Sequence, residues 1–208
     1  MNFFAKKLGC LCILILLLGG CSNLKPSNYR IDYYTLEYDA PGFDFPTLPR
    51  VIRVERFQVA PLYNSNRIVY RKIPYARDTY FYHKWRANPG DLVTYFLTRD
   101  IRQSTVFKAV NTYETGLASS HIIEGMVDEF FEDDGRESWE AVLSVSITLV
   151  ANDEPDLGKR VLFQKKYSQR EACRQKNPQA LAAAMSKAMA GISETIIKDI
   201  YKHLADTL

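Results

Sequence analysis

One stretch limits the fold more than any other. Between residues 138 and 152, Trp139, Ala141, Leu143, Val145, Ile147 and Leu149 fall at every second position, with Glu140, Ser144, Ser146 and Thr148 between them. A period of two sends the two sets to opposite faces of a strand. One buried and one wetter face is the pattern of an antiparallel strand, and the apolar face needs a second layer to cover it. Asp133-Asp134-Gly135 just upstream reads as the hairpin turn that joins it to a strand over residues 122–131. A turn at residues 152–158 leads to a further strand over 160–168.

Helices announce themselves twice by the same dipeptide. At Asn88-Pro89 and Asn177-Pro178 the asparagine caps, and the proline occupies the first turn, where a missing N–H costs nothing. After the first, Leu92, Val93, Phe96, Leu97 and Ile101 recur on one face up to Gln103. After the second, Leu181, Met185, Ala188, Ile192, Ile196, Ile200 and Leu204 make one stripe of a long helix. Its many alanines permit close approach to a sheet and argue against a wide lipid cavity beneath it. Strands are expected over 29–38, 51–59, 67–71, 79–85 and 106–111, with a proline-rich loop over 39–49. The expected fold class is α/β: a single domain with a mixed β-sheet packed by two main helices. The helix at 88–103 crosses over to a parallel pair, and residues 122–168 form an antiparallel meander.

The N-terminus reads as an address. Lys6 and Lys7 precede an uncharged apolar run, LGCLCILILLL, at positions 8–18. As a helix it is about 16 Å long, roughly half the hydrocarbon thickness of a bilayer, so a permanent span is disfavoured. Leu18-Gly19-Gly20-Cys21 then has the residues of a lipobox. A thiol is the nucleophile needed to accept a diacylglyceryl group, and glycines enter a narrow peptidase site without a side-chain clash. Residues 1–20 are expected to be a cleaved signal peptide, with cleavage between Gly20 and Cys21. Residues 21–28 are a polar acylated tether, and 29–208 the folded domain. Ser22 is not Asp, which favours the outer membrane, facing the periplasm. Cys10 and Cys12 leave with the leader and Cys21 is acylated, so Cys173 alone remains and no intrachain disulfide forms.

Little in the mature chain suggests catalysis. No phosphate loop or nucleophile elbow occurs, and His83, His121 and His203 lack metal-ligand spacing. No enzyme activity, metal or cofactor is expected. The carboxylates Glu129 and Glu132 read as a solvated acidic rim. The overall balance of 27 basic to 24 acidic residues is too weak a bias for a nucleic-acid binder. Two blocks stand out. Residues 67–86 carry a net charge of +5, interleaved with Tyr70, Tyr75, Tyr80, Tyr82 and Trp85, and residues 128–137 carry −5. Tyr, Trp and Arg are enriched at protein interfaces. Arg67, Tyr70, Arg71, Tyr82 and Trp85 are the candidate partner interface, meeting the acidic hairpin tip of another copy in a ring-forming homo-oligomer. The plainer alternative is that both blocks are solvated sheet edges.

The segments YYTL at 33–36, VIRVERFQVAP at 51–61, NRIVYR at 66–71, the run at 80–85 and the Asn-Pro helix that follows resemble, in order and spacing, the ABC-type transport auxiliary lipoprotein family of PqiC-like (YmbA-type) intermembrane transport lipoproteins. The resemblance implies an anticodon-binding-like α/β fold similar to the TolB N-terminal region. It implies an outer-membrane lipoprotein working with a periplasm-spanning MCE-domain protein and its inner-membrane component in lipid transport. It implies no catalytic residues. Cys21 carries over as the lipid-attachment site, and Arg67, Tyr70 and Trp85 match a recurrent segment. The function expected is docking; the competing classes are a periplasmic lipid carrier and a structural or secretion-linked lipoprotein.

Overall fold

Backbone hydrogen bonding along one strand accounts for most of the architecture. The computed structural model describes residues 29–135 and 138–207. Ile31–Leu208 forms one compact unit, distinct from Met1–Arg30, and all elements below belong to it. The leader and tether expected over residues 1–28, with Gly20 and Cys21, lie outside the described residues.

The strands are β1 (Asp32–Tyr34), β2 (Leu48–Val54), β3 (Gln58–Val59), β4 (Arg67–Arg71), β5 (Asp78–Trp85), β6 (Phe107–Thr112), β7 (His121–Asp134), β8 (Trp139–Ala151) and β9 (Val161–Ala172). The long helices are α1 (Pro89–Gln103) and α2 (Pro178–Ala205). One edge of β7 takes three parallel neighbours in succession: β2 at His121–Ile123, β3 at Met126–Val127 and β4 at Glu132–Asp133. Its other edge runs antiparallel to β8 from His121 to Asp134. Outside these, β6 joins β2, β5 joins β4, β1 joins β5 and β9 joins β8. The mixed α/β sheet with two packing helices is the expected class, and α1 is the expected crossover, carrying the chain from β5 to the parallel β2–β6 pair.

Both helices begin as their sequences predict. Asn88 Oδ1 accepts the Gly90 N–H at 2.9 Å, and Asn177 Oδ1 accepts the Ala180 N–H at 2.8 Å. Every member of the α2 stripe from Leu181 to Leu204 is buried, against β8, β9 and α1. The helix is long and apolar enough to cross a membrane, but its apolar face is consumed by the sheet.

Three local expectations change. The strand expected over 29–38 shortens to β1, because the following residues leave the sheet. The Glu37 N–H bonds Ser186 Oγ, and the Tyr38 hydroxyl donates to the buried Asp100 at 2.7 Å. The strand expected over 51–59 breaks after Val54. There the Phe57 N–H turns to Thr94 Oγ1 of α1 at 2.9 Å instead of a strand partner. Asp133 and Asp134 are not turn residues: they pair with Glu140 and Trp139 as the last rungs of the hairpin, and the turn begins at Gly135. Side-chain bonds won over the local turn signal.

A bulge at Asp128 shifts the β7–β8 register between Val127 and Glu129. It keeps Ile123, Val127 and Phe130 on one face despite the odd spacing, since a one-residue slip reverses the faces. Phe57 fills the angle between this face and α1. Its ring lies so close to β7 that a Cβ at Gly125 would stand 2.2 Å from it, and a Cβ at Gly90 would stand 2.5 Å from the Phe57 carbonyl oxygen. Gly125→Ala is therefore expected to overpack the core and lower stability by about 1–3 kcal/mol. Adding Phe57→Leu should return part of that loss. Urea denaturation of the single and double variants checks both.

Candidate functional site

The basic and aromatic block forms the β4–β5 hairpin, and the acidic block forms the end of β7. Because β4 runs parallel to β7 with Arg71 opposite Asp133, the two blocks meet within one chain. Arg71 Nε donates to Asp133 Oδ1 at 2.9 Å and its second nitrogen to Oδ2, a two-point grip. Arg170 of β9 bonds Asp133 and Glu140 together, and Lys176 pairs with Asp134. Burial pushes the Asp133 carboxyl up, but the two guanidinium groups prevail and hold it below the ordinary range.

Glu132 is not part of a solvated rim: it is fully buried. One carboxylate oxygen accepts from the Tyr80 hydroxyl at 3.0 Å and from the Trp139 indole N–H, while the other has no partner. Burial raises its pKa against the pull of those two donors. Beside it, burial lifts the half-buried Cys173 thiol to about 11, so it is no nucleophile at neutral pH. Among the described residues, no group of three His, Cys, Asp or Glu side chains is placed to hold a metal ion.

The five residues singled out by sequence do not form one surface. Trp85 is 1% exposed and packs edge-on against Phe130 at 5.1 Å, so it supports the core and presents nothing to a partner. Arg71 is engaged with Asp133 in its own chain. One pair between the two blocks, Arg71 with Asp133, is thus made inside one copy. Arg67 is exposed, Tyr70 donates to Asp78 at 2.9 Å, and Tyr82 stacks edge-on with Phe81 at 4.8 Å. Sequence reasoning missed how β5 bends. Arg67 faces Lys84 while Val69 faces Thr79, so three extra residues of β5 bulge from the ladder. The bulge turns Tyr80 inward to Glu132 and leaves Phe81 78% exposed. The run of successive aromatics was its only trace in the sequence.

Two clefts open at the hairpin ends. One, of about 520 Å³, lies between Arg71–Pro74 and Asp133, Gly135 and Ser138. The other, of about 560 Å³, is lined by Tyr70, Lys72, Tyr80, Asp134, Gly135 and Lys176. Neither is walled by a stripe of apolar side chains. The Asp133 and Glu132 carboxyls act oppositely on stability. The lowered Asp133 contributes stability above its unfolded pKa and loses it as pH falls through the folded value. The raised Glu132 does the reverse: its contribution is complete below its unfolded value, near 4.5, and fades as pH rises through the folded one. Asp133→Ala should cost about 2–3 kcal/mol, less than full burial would give because Arg170 is half exposed. Glu132→Gln should gain on the wild type progressively as pH rises above the ordinary glutamate range. Chemical denaturation across a pH series measures both.

The ABC-type transport auxiliary lipoprotein component family model matches residues 34–197. A Xanthomonas campestris protein of the DUF330 family is similar in structure, with TM-score 0.76 and 16% identity over 85% of this chain and 98% of that one. An uncharacterised protein of known structure has TM-score 0.64 and 14% identity over 82% and 99% of the two chains. A hypothetical protein from Chlamydia trachomatis has TM-score 0.53 and 6% identity over 75% and 98%. No curated protein matches the chain by sequence. The matched span runs from β1 into α2 and takes in the hairpin, the bulge and the buried carboxylates, so the chain belongs to the ABC-type transport auxiliary lipoprotein family.

Proposed function

We propose that this protein is an outer-membrane-anchored periplasmic lipoprotein. It serves as the docking component of an MCE-type, PqiABC-like intermembrane lipid transport system and so supports envelope integrity. Cleavage at Gly20–Cys21 frees a cysteine whose acyl chains enter the periplasm-facing leaflet. Each buried methylene adds about 0.8 kcal/mol, so several chains hold the domain there durably. The body serves as a receptor for the end of a periplasm-spanning partner, and copies closed into a ring leave a passage on the axis.

The observation that carries this reading is where the fold spends its apolar side chains. The α2 stripe is buried against β8, β9 and α1, and Ile52, Phe130, Leu143 and Leu149 close the sheet beneath. A long helix whose apolar stripe is used internally suits a receptor. A carrier would keep a lined cavity for its lipid. Membership in a transport auxiliary family supports the same choice. Arg67 and Tyr82 supply the partner contacts, with Tyr70 beside them; Arg71 and Trp85 hold the hairpin in place from within the chain.

Two tests follow. Cys21→Ser should leave the fold intact but release the protein from envelope membranes and abolish its transport role. Arg67→Glu combined with Tyr82→Ala should lower co-purification of the MCE partner from solubilised envelopes without moving the melting temperature. Undiminished co-purification by that variant overturns this assignment of the contact. Stoichiometric phospholipid in native mass spectra of the wild type favours the carrier.

A further inference from the structure

Two donors reach Glu132, and both choose the same oxygen. The Tyr80 hydroxyl and the Trp139 indole N–H converge on Oε1, while the buried Oε2 accepts from nothing. An ionised carboxylate shares its charge between two oxygens and attracts donors to both. A neutral acid has one carbonyl oxygen that accepts and one hydroxyl. Asp100 shows the contrast: it too is fully buried, but Tyr38 bonds one of its oxygens and Arg99 the other. Among the described residues no cation pairs with Glu132, because Lys176 is bound to Asp134, and Arg71 and Arg170 to Asp133. The groups that face it are Tyr80 from β5, Trp139 from β8, Tyr70 from β4, Asp134 from β7, and Cys173 and Lys176 beyond β9. The two phenols and the thiol are neutral, Tyr70 held above its ordinary value by its bond to Asp78, Tyr80 and Cys173 by burial. That leaves Asp134 and Lys176, which are of opposite sign and bound to each other.

Tyr80 also opens the bulge in β5. Thr79 stands opposite Val69 and Lys84 opposite Arg67 on β4, while His83 stands opposite Asp32 on β1. Residues 80–82 are therefore opposite no residue of either neighbouring strand, and side chains set their path. Tyr80 is tied to Glu132 at one end. At the other, His83 shares a hydrogen bond with the Tyr34 hydroxyl at 3.2 Å, and its ring meets Tyr80 edge-on at 5.9 Å. Phe81 and Tyr82 lie between these two ties. The second donor, Trp139, sits on firmer ground: β8 is laddered there to Asp134 of β7, and the Trp139 carbonyl accepts the Cys173 N–H at 2.8 Å. Ionising Glu132 would strengthen both bonds to Oε1, yet it would leave a buried charge with its second oxygen bare, a state relieved by admitting water. Burial outweighs the two donors. The unladdered bulge is the wall that yields with least backbone bonding broken.

We infer that Glu132 is a positioning residue whose proton latches the β5 bulge: the neutral acid holds Tyr80 inward and presents Phe81 and Tyr82, and loss of the proton loosens residues 80–82. The latch is closed at low pH. It opens as pH rises through the folded-state value of this carboxyl, since an acid of this kind contributes fully below its unfolded value and fades above it. The effect on partner binding rests on the docking role proposed above, in which Tyr82 supplies a contact. Rising pH then weakens docking by disordering the segment that makes the contact, which must be ordered again at a cost when the partner binds.

The acylated protein in detergent micelles, carrying isotope-labelled tryptophan, gives an indole N–H signal in nuclear magnetic resonance from each of its two tryptophans, Trp85 and Trp139. Trp85, buried against Phe130, is the reference. The Trp139 signal should shift with a midpoint above the ordinary glutamate value while that of Trp85 stays still. Protection of residues 79–85 from hydrogen exchange, corrected for the intrinsic pH dependence of amide exchange, should be lost through the same midpoint. Glu132→Gln keeps the carbonyl acceptor and has no proton to lose, so its Trp139 signal and its protection should stay flat with pH. Glu132→Ala should lack that protection at every pH. A midpoint at or below the ordinary glutamate value overturns the neutral acid. Protection that ignores the titration, or that Glu132→Gln still loses, overturns the latch. Co-purification of the MCE partner should fall through the same midpoint in the wild type and stay constant in Glu132→Gln. Constant co-purification in the wild type, with the Trp139 signal and the exchange moving together, overturns the control of docking. Co-purification absent at every pH, with those two still moving together, instead overturns the docking role and leaves the latch standing.

Discussion

Strand β7 has both edges hydrogen-bonded over most of its length, and the molecule is arranged around that constraint. A buried backbone must satisfy every N–H and C=O. β8 satisfies one edge of β7 continuously, while the other edge is shared among β2, β3 and β4. The segment from residue 48 to 71 is thus laid along β7 in three pieces, with Phe57 and the short turn Pro61–Tyr63 in the gaps. Phe57 fits one gap because Gly125 and Gly90 leave room for it. The other gap places Tyr63 on Phe131, with ring planes 10° apart.

From that arrangement the chemistry of the hairpin ends follows. Parallel pairing of β4 with β7 sets Arg71 opposite Asp133, and antiparallel pairing through β8 brings Arg170 to the same carboxylate. Oppositely charged blocks that look like separate surfaces become one ionic cluster at the end of the sheet. Its charges are mostly satisfied within the chain, so it locks the ends of β4, β7 and β9 together. On this hairpin Arg67, Ile73, Tyr75 and Phe81 stay open toward solvent.

Much of this was legible residue by residue. The bounds of β4, the alternation of β8, the two Asn-Pro helix starts and the seven-residue stripe of α2 stand in the structure as the local pattern predicts. Each depends only on contacts within one strand or one helix face. Trp85, Glu132 and Asp133 were not legible in the same way. An aromatic residue in a charged run reads as a surface residue, and consecutive acids before a glycine read as a turn. Their burial depends on which strand lies alongside.

By itself, the sequence determined the element types, the two capped helices, the apolar faces and the lipobox-like segment, because these follow from short-range periodicity and from the chemistry of neighbouring residues. Only the tertiary structure decided that β7 is shared by four strands, that β5 bulges and turns Tyr80 inward, and that Arg71 of the basic block grips Asp133 of the acidic one. Those outcomes depend on pairing between segments some sixty residues apart, such as Arg71 with Asp133, and no local pattern records which distant backbone will satisfy a given edge.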